Sequence, residues 1–125
     1  MFDHLSIGVS DLEAAGRFYD ALFAPLGAAK SLEKPGEIAY GPGGETSLFW
    51  LYPVEGGRIS GLGTHIAFTA DTRDAVNRAF EAAVAHGATV VRAAGLHPDI
   101  APDYYGAVLL DPDGNKLEVV AGTMH

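Results

Sequence analysis

At 125 residues and 13.1 kDa, with 48% apolar and 19% charged residues, the chain has the size and composition of one folded domain rather than of a disordered or repetitive segment. Eight basic against 16 acidic residues leave a formal charge of −8 without any basic run, which argues against nucleic acid or an anionic membrane as a partner. Cysteine is absent, so disulfides, thiolate metal sites and a cysteine nucleophile drop out together, and any metal must be held by histidine and carboxylate.

No apolar run approaches the ~18 residues that span a bilayer, and Met1-Phe2-Asp3-His4 carries an acid where a signal peptide carries lysines, so the expected location is cytoplasmic. Phe2 to Val9 reads as a strand, with Leu5, Ile7 and Val9 alternating against His4, Ser6 and Gly8. Ser10 and Glu13 have capping-box spacing, and Leu12, Ala15, Tyr19, Leu22, Phe23 and Leu26 follow at helical spacing. Pro25 is expected to distort the last turn and Gly27 to end it. Short strands are predicted over Ala28 to Leu32, Glu37 to Tyr40 and Ser47 to Tyr52, separated by Gly- and Pro-containing turns.

The second half repeats that order. A strand over Thr64 to Thr69 leads to Asp71 or Thr72 as the cap of a helix carrying Ala75, Val76, Ala79, Phe80, Ala83 and Val84, closed by Gly87. Strands follow over Ala88 to Arg92, Tyr104 to Leu110 and Lys116 to Val120, the last pair joined through Asp111-Pro112-Asp113-Gly114-Asn115. His4 and His65 stand 61 positions apart, and both Asp11 and Asp71 and Gly27 and Gly87 stand 60 apart, so the chain is a duplication with one residue of offset. One domain over 1–125 is expected, with a first module over about 1–55, a second over about 63–125, and a Gly-rich linker over Pro53 to Gly63. The aperiodic stretch Ala93 to Asp103 has the character of a binding loop.

The duplication gives the histidines their meaning. His4 and His65 occupy matching places at the openings of the two halves, each beside small residues, while alternation sends Glu118 to one face of the last strand with Lys116 and Val120. Two imidazoles and a carboxylate with open positions suit a divalent ion, whether nickel, zinc, manganese, iron or cobalt. Trp50 is expected in a substrate pocket with Tyr105 as a hydrogen-bond donor. Arg58 and Arg92 are candidate anchors for an acidic substrate, and His97 is a candidate base.

The stretches His4-Leu5-Ser6-Ile7-Gly8-Val9-Ser10-Asp11-Leu12, Phe18-Tyr19, Thr64-His65-Ile66-Ala67-Phe68 and Tyr104-Tyr105-Gly106, with Asp111-Pro112-Asp113-Gly114-Asn115-Lys116-Leu117-Glu118, resemble the vicinal oxygen chelate superfamily. This is the group of glyoxalase I, bleomycin-resistance proteins, fosfomycin-resistance enzymes and extradiol dioxygenases. The resemblance implies an α+β fold of two βαβββ modules forming a cupped eight-stranded mixed sheet around a divalent metal, as a homodimer acting on a small molecule. By position it implies His4, His65 and Glu118 as metal ligands. The fourth ligand place of glyoxalase I falls within Leu48-Phe49-Trp50-Leu51, which holds no acid, and the resulting set is similar to the fosfomycin-type and dioxygenase branches.

One carboxylate beside a dication leaves a site charge near +1, which favours an anionic, bidentate oxygen ligand. The expected function is therefore a metal-dependent enzyme of lyase or isomerase type, with ring-cleaving oxygenation or thiol transfer behind it. The rival reading is a metal-free binding protein of the bleomycin-resistance kind.

Overall fold

The computed structural model describes residues 1–122, so the expected end of the second module, 123–125, lies outside the described residues. The first module runs β1 (Leu5–Val9), α1 (Leu12–Phe23) with a 3-10 turn over Ala24–Leu26, β2 (Ala28–Lys34), β3 (Glu37–Pro42) and β4 (Phe49–Pro53). The second runs β5 (Ile66–Ala70), α2 (Arg73–Ala85), β6 (Thr89–Leu96), β7 (Tyr105–Leu110) and β8 (Lys116–Ala121).

Asp11, rather than Ser10, caps α1: its carboxylate accepts from the Ala14 N–H at 3.0 Å, and Glu13 turns outward to Arg17 instead of back to the cap. In the second module Thr72 does the same for Ala75 at 3.0 Å. Asp11 and Thr72 are as far apart as His4 and His65, so the one-residue offset of the repeat falls after the caps, not before them. Pro25 tightens the end of the first helix into the 3-10 turn, and Gly27 and Gly87 take the positive φ that releases the chain after each helix.

The strands form two four-stranded mixed sheets of identical order, β1-β4-β3-β2 and β5-β8-β7-β6, in which only the β1–β4 and β5–β8 pairs are parallel. Among the described residues no strand pairing joins the two sheets, and β1 and β5 each sit at a sheet edge. Helix α1 packs on the first sheet, α2 packs on the second, and the helices pack on each other, so the core lies between the sheets. Phe23 and Phe49 meet Phe68 of the other module edge to face, at centroid distances of 4.9 and 5.3 Å. The opposite face of each sheet therefore points away from this shared layer. No helix is long and apolar enough to cross a membrane among the described residues.

A polar tie also crosses the modules. Asp111, only 3% exposed, accepts from the Tyr19 hydroxyl at 2.7 Å, and Asn115 donates from Nδ2 to the Gly8 carbonyl at 3.0 Å. The turn expected as a hairpin connection is thus also a buried hub.

Burial first, and then the neighbouring Asp111, pushes the Tyr19 phenol well above its usual range; burial and then Asp20 do the same for Tyr40. Both stay protonated in the folded chain while the unfolded phenols ionise from about pH 10, so above that pH the unfolded state binds fewer protons. Stability is expected to be flat through pH 8–9 and then to fall by up to about 1.4 kcal/mol per pH unit for each tyrosine. Urea midpoints measured across this range check it, and Tyr40→Phe should remove one share of the slope.

Candidate metal and substrate site

The β5–β8 register sets Ala67 opposite Glu118, and the alternation of both strands carries His65, Ala67 and Thr69 outward with Lys116, Glu118 and Val120. His65 lies just before β5, and its Nδ1 is 3.1 Å from the Gly63 carbonyl oxygen. A carbonyl only accepts, so Nδ1 carries the proton and the Nε2 lone pair is left free. Nε2 faces Glu118 Oε1 at 3.8 Å. The other carboxylate oxygen, Oε2, accepts from the Tyr104 hydroxyl at 3.0 Å. Each potential ligand is thus held by one atom and presents the other.

Gly106 makes the Tyr104 contact possible. A methyl group there would stand 2.7 Å from the Tyr104 hydroxyl and 2.9 Å from the ring carbon that bears it, so the tyrosine reaches Glu118 over a bare stretch of β7. Burial, reinforced by the bond to Glu118, raises the Tyr104 pKa and keeps the phenol protonated as a donor.

The first sheet presents a matching outer face of different character. His4 has Nδ1 at 2.5 Å from Asp3 Oδ1, which again leaves Nε2 free, and its ring meets Trp50 edge-on at 6.3 Å. Trp50 stacks on Tyr52 with ring planes 4° apart and donates from Nε1 to the Ser47 carbonyl. Phe49 and Leu51 point inward and are buried, so β4 offers no acid to this face. His65 and Glu118 are therefore brought together by one sheet, while His4 belongs to the other. Among the described residues of one chain, no three metal-capable groups cluster.

The remaining expected site residues divide. Tyr105 faces the helix side, where its hydroxyl donates to Asn77 at 2.7 Å and Arg73 lies over its ring, because alternation on β7 gives the outer face to Tyr104 instead. Arg92 is in the same cross-strand row as Val108 and Glu118, and it pairs with Asp99 at 2.8 Å. That bond raises the Arg92 pKa and lowers that of Asp99. Strand β6 continues to Leu96, which shortens the expected loop, and His97 sits with its ring 5.9 Å from Tyr104 and Nε2 at 2.7 Å from the Ala93 carbonyl.

Strand pattern and spacing do not single out Tyr104 as the partner of Glu118; Gly106, two residues on, is the available signal. A separate apolar cleft of about 340 Å³ between the modules, lined by Leu5, Phe23, Leu48, Phe49, Ile66 and Phe68 among others, holds none of the candidate ligands.

Residues 1–119 match the family model described as Glyoxalase/Bleomycin resistance protein/Dioxygenase superfamily. Among solved structures, the chain is similar to a glyoxalase/bleomycin resistance protein from Albidiferax ferrireducens T118, at 28% identity over 98% of this chain and 99% of that chain, with a TM-score of 0.82. It is also similar to a glyoxalase/bleomycin resistance protein/dioxygenase family enzyme from Burkholderia phytofirmans PsJN, at 25% identity over 94% and 95% of the two chains and a TM-score of 0.71. The genomically encoded fosfomycin resistance protein FosX from Listeria monocytogenes shares the fold alone, at 19% identity, 99% and 94% coverage and a TM-score of 0.73. No curated protein matches the chain.

Proposed function

The chain belongs to the glyoxalase/bleomycin resistance protein/dioxygenase superfamily, and from that membership we propose a homodimeric, metal-dependent enzyme that takes a small oxygenated substrate through two of its oxygens. The observation that carries the proposal is the pair His65 Nε2 and Glu118 Oε1, 3.8 Å apart, each oriented by a hydrogen bond to its other polar atom. Two donors each ~2.1 Å from one ion stand about 3.0–3.4 Å apart at octahedral or tetrahedral angles, so the pair closes by a few tenths of an ångström around a divalent cation such as nickel, zinc, manganese, iron or cobalt.

His4 is the third ligand in this proposal, supplied by the partner subunit. Its Nε2 is free, and within one chain the two outer faces point away from a common helical layer. Among the described residues the outer edges of β1 and β5 have no strand partner, and a second copy that covers them turns the two faces toward a shared site.

When bound, the ion supplies Lewis acidity to substrate oxygens that gain negative charge. Glu118 contributes the one carboxylate, so the site keeps a net charge near +1 and selects an anionic chelating group. Trp50 and Tyr52 form the apolar wall that excludes water, and Arg92 and His97 border the opposite side. Lyase or isomerase chemistry is the reaction class we assign; thiol transfer and ring-cleaving oxygenation come after it. The outward-facing Trp50–Tyr52 stack is the observation that favours the rival reading, a metal-free binding protein.

Complementation between chains tests the proposal. His4→Ala and His65→Ala proteins should each lose stoichiometric metal, and mixing them should restore one metal site per heterodimer. A wild type that takes up none of these ions supports the binding protein. A mixture that restores nothing, or a mass of one chain by light scattering, overturns the shared site.

A further inference from the structure

The chain has eight basic side chains. Among the described residues, Arg17, Lys30, Lys34, Arg78 and Arg92 are in ion pairs, and Arg73 covers the Tyr105 ring. The remaining two, Arg58 and Lys116, have no carboxylate within 4.0 Å among the described residues, and both line one cleft of about 330 Å³. In a protein of net charge −8, the two cations that have neither a carboxylate nor an aromatic partner among the described residues have converged on one place. Hydroxyls of Ser60 and Thr64 share that lining, as do glycines of the linker and of the β7–β8 turn, and no acid does.

The cleft is also next to the proposed metal ligands. Thr64 immediately precedes His65. Lys116 lies two residues before Glu118 on the same face of β8, on the order of 7 Å along the strand.

We propose that this cleft is an oxyanion subsite, in which Arg58 and Lys116 hold a carboxylate or phospho group at the far end of the substrate. It rests on the reading of His65 and Glu118 as the metal-binding end, and it narrows the substrate class. The substrate carries chelating oxygens at one end and a separate oxyanion at the other, about the Lys116-to-Glu118 distance away. Arg58 offers a planar fork of donors to two oxygens, Lys116 a point charge, and the two hydroxyls complete the shell. The linker Pro53–Gly63, which joins the modules, thereby acquires a binding role.

The test uses metal-free full-length protein titrated with inorganic phosphate, and separately with acetate, at constant ionic strength, while backbone amide resonances are followed. The expected result is saturable shifts at Gly61, Gly63, Thr64 and Lys116. Affinity should be at least tenfold weaker in Arg58→Gln and in Lys116→Gln, and unchanged in Arg78→Gln, a cation on α2 outside the cleft. Tighter phosphate assigns a phospho group and tighter acetate a carboxylate. Absence of saturable shifts at these amides with either anion, or equal affinity in wild type and both glutamine variants, overturns the proposal. Metal titration of the same variants separates the two readings: a failed subsite leaves metal uptake by His65 and Glu118 intact, and a failed metal site leaves phosphate binding intact.

Discussion

Replacing Asp111 with alanine is expected to lower the unfolding free energy by about 3–5 kcal/mol, because it strips one shared acceptor from four donors and each buried donor left unpaired costs roughly 1–3 kcal/mol. Its Oδ1 accepts from the backbone N–H groups of Asp113 and Asn115 at 3.0 and 2.8 Å. Its Oδ2 accepts from the Tyr19 hydroxyl at 2.7 Å and from Asn115 Nδ2 at 3.0 Å. Alanine leaves all four donors without this acceptor, and the Tyr19 hydroxyl is in a fully buried residue where water does not replace it. Asn115 also loses the contact that orients its bond to Gly8, so both links between the turn and the first module weaken together.

A domain of this size has roughly 5–15 kcal/mol to lose, which puts the variant close to the folding threshold. Tyr19→Phe removes one hydrogen bond from the same hub and should cost only about 1–2 kcal/mol. Urea denaturation of both single variants and the double variant checks the pair, and a non-additive coupling of about 0.5–3 kcal/mol is expected between neighbours. A loss below about 1 kcal/mol for Asp111→Ala would mean that the turn is held by its backbone alone.

The hub illustrates why parts of this protein were readable from sequence and others were not. Period and punctuation act locally, so the strands, both helices and their closing glycines follow from short stretches, and the duplication makes each half a check on the other. Ser10 and Asp11 are both good caps one residue apart, and only the geometry of the first turn decides between them. The Asp-Gly dipeptide announces a turn, yet the hydroxyl that Asp111 accepts from belongs to Tyr19, 92 positions away, and no local pattern encodes that partnership.

The same limit applies to the candidate site. Strand alternation alone puts Glu118 on the outer face, and the pairing of β5 with β8 carries it to His65. His4 is the true duplicate of His65 in sequence, but the two sheets share no strand pairing, so duplication in sequence did not become proximity within one chain. Tyr105 and Tyr104 differ by one position, and that step exchanges the helix-packed face for the face that holds Glu118.

Loss of metal binding in His65→Ala is the largest effect expected at the site, and Tyr104→Phe grades it. Truncating His65 removes a proposed ligand outright, so affinity for nickel or manganese should fall by more than the roughly 10–100-fold that an outer hydrogen-bond partner commands. Tyr104→Phe removes only the donor to Glu118 Oε2. The carboxylate then turns more freely and offers either oxygen, and affinity should fall within that 10–100-fold range while the fold is kept. Isothermal titration of the metal into each purified protein measures both. Equal losses in the two variants would make Tyr104 a structural residue whose removal disturbs the sheet, which the urea midpoint of Tyr104→Phe would reveal independently. An unchanged affinity in Tyr104→Phe would mean that Glu118 is oriented by the strand alone, because its main chain is already fixed by pairing with β5 on one side and β7 on the other.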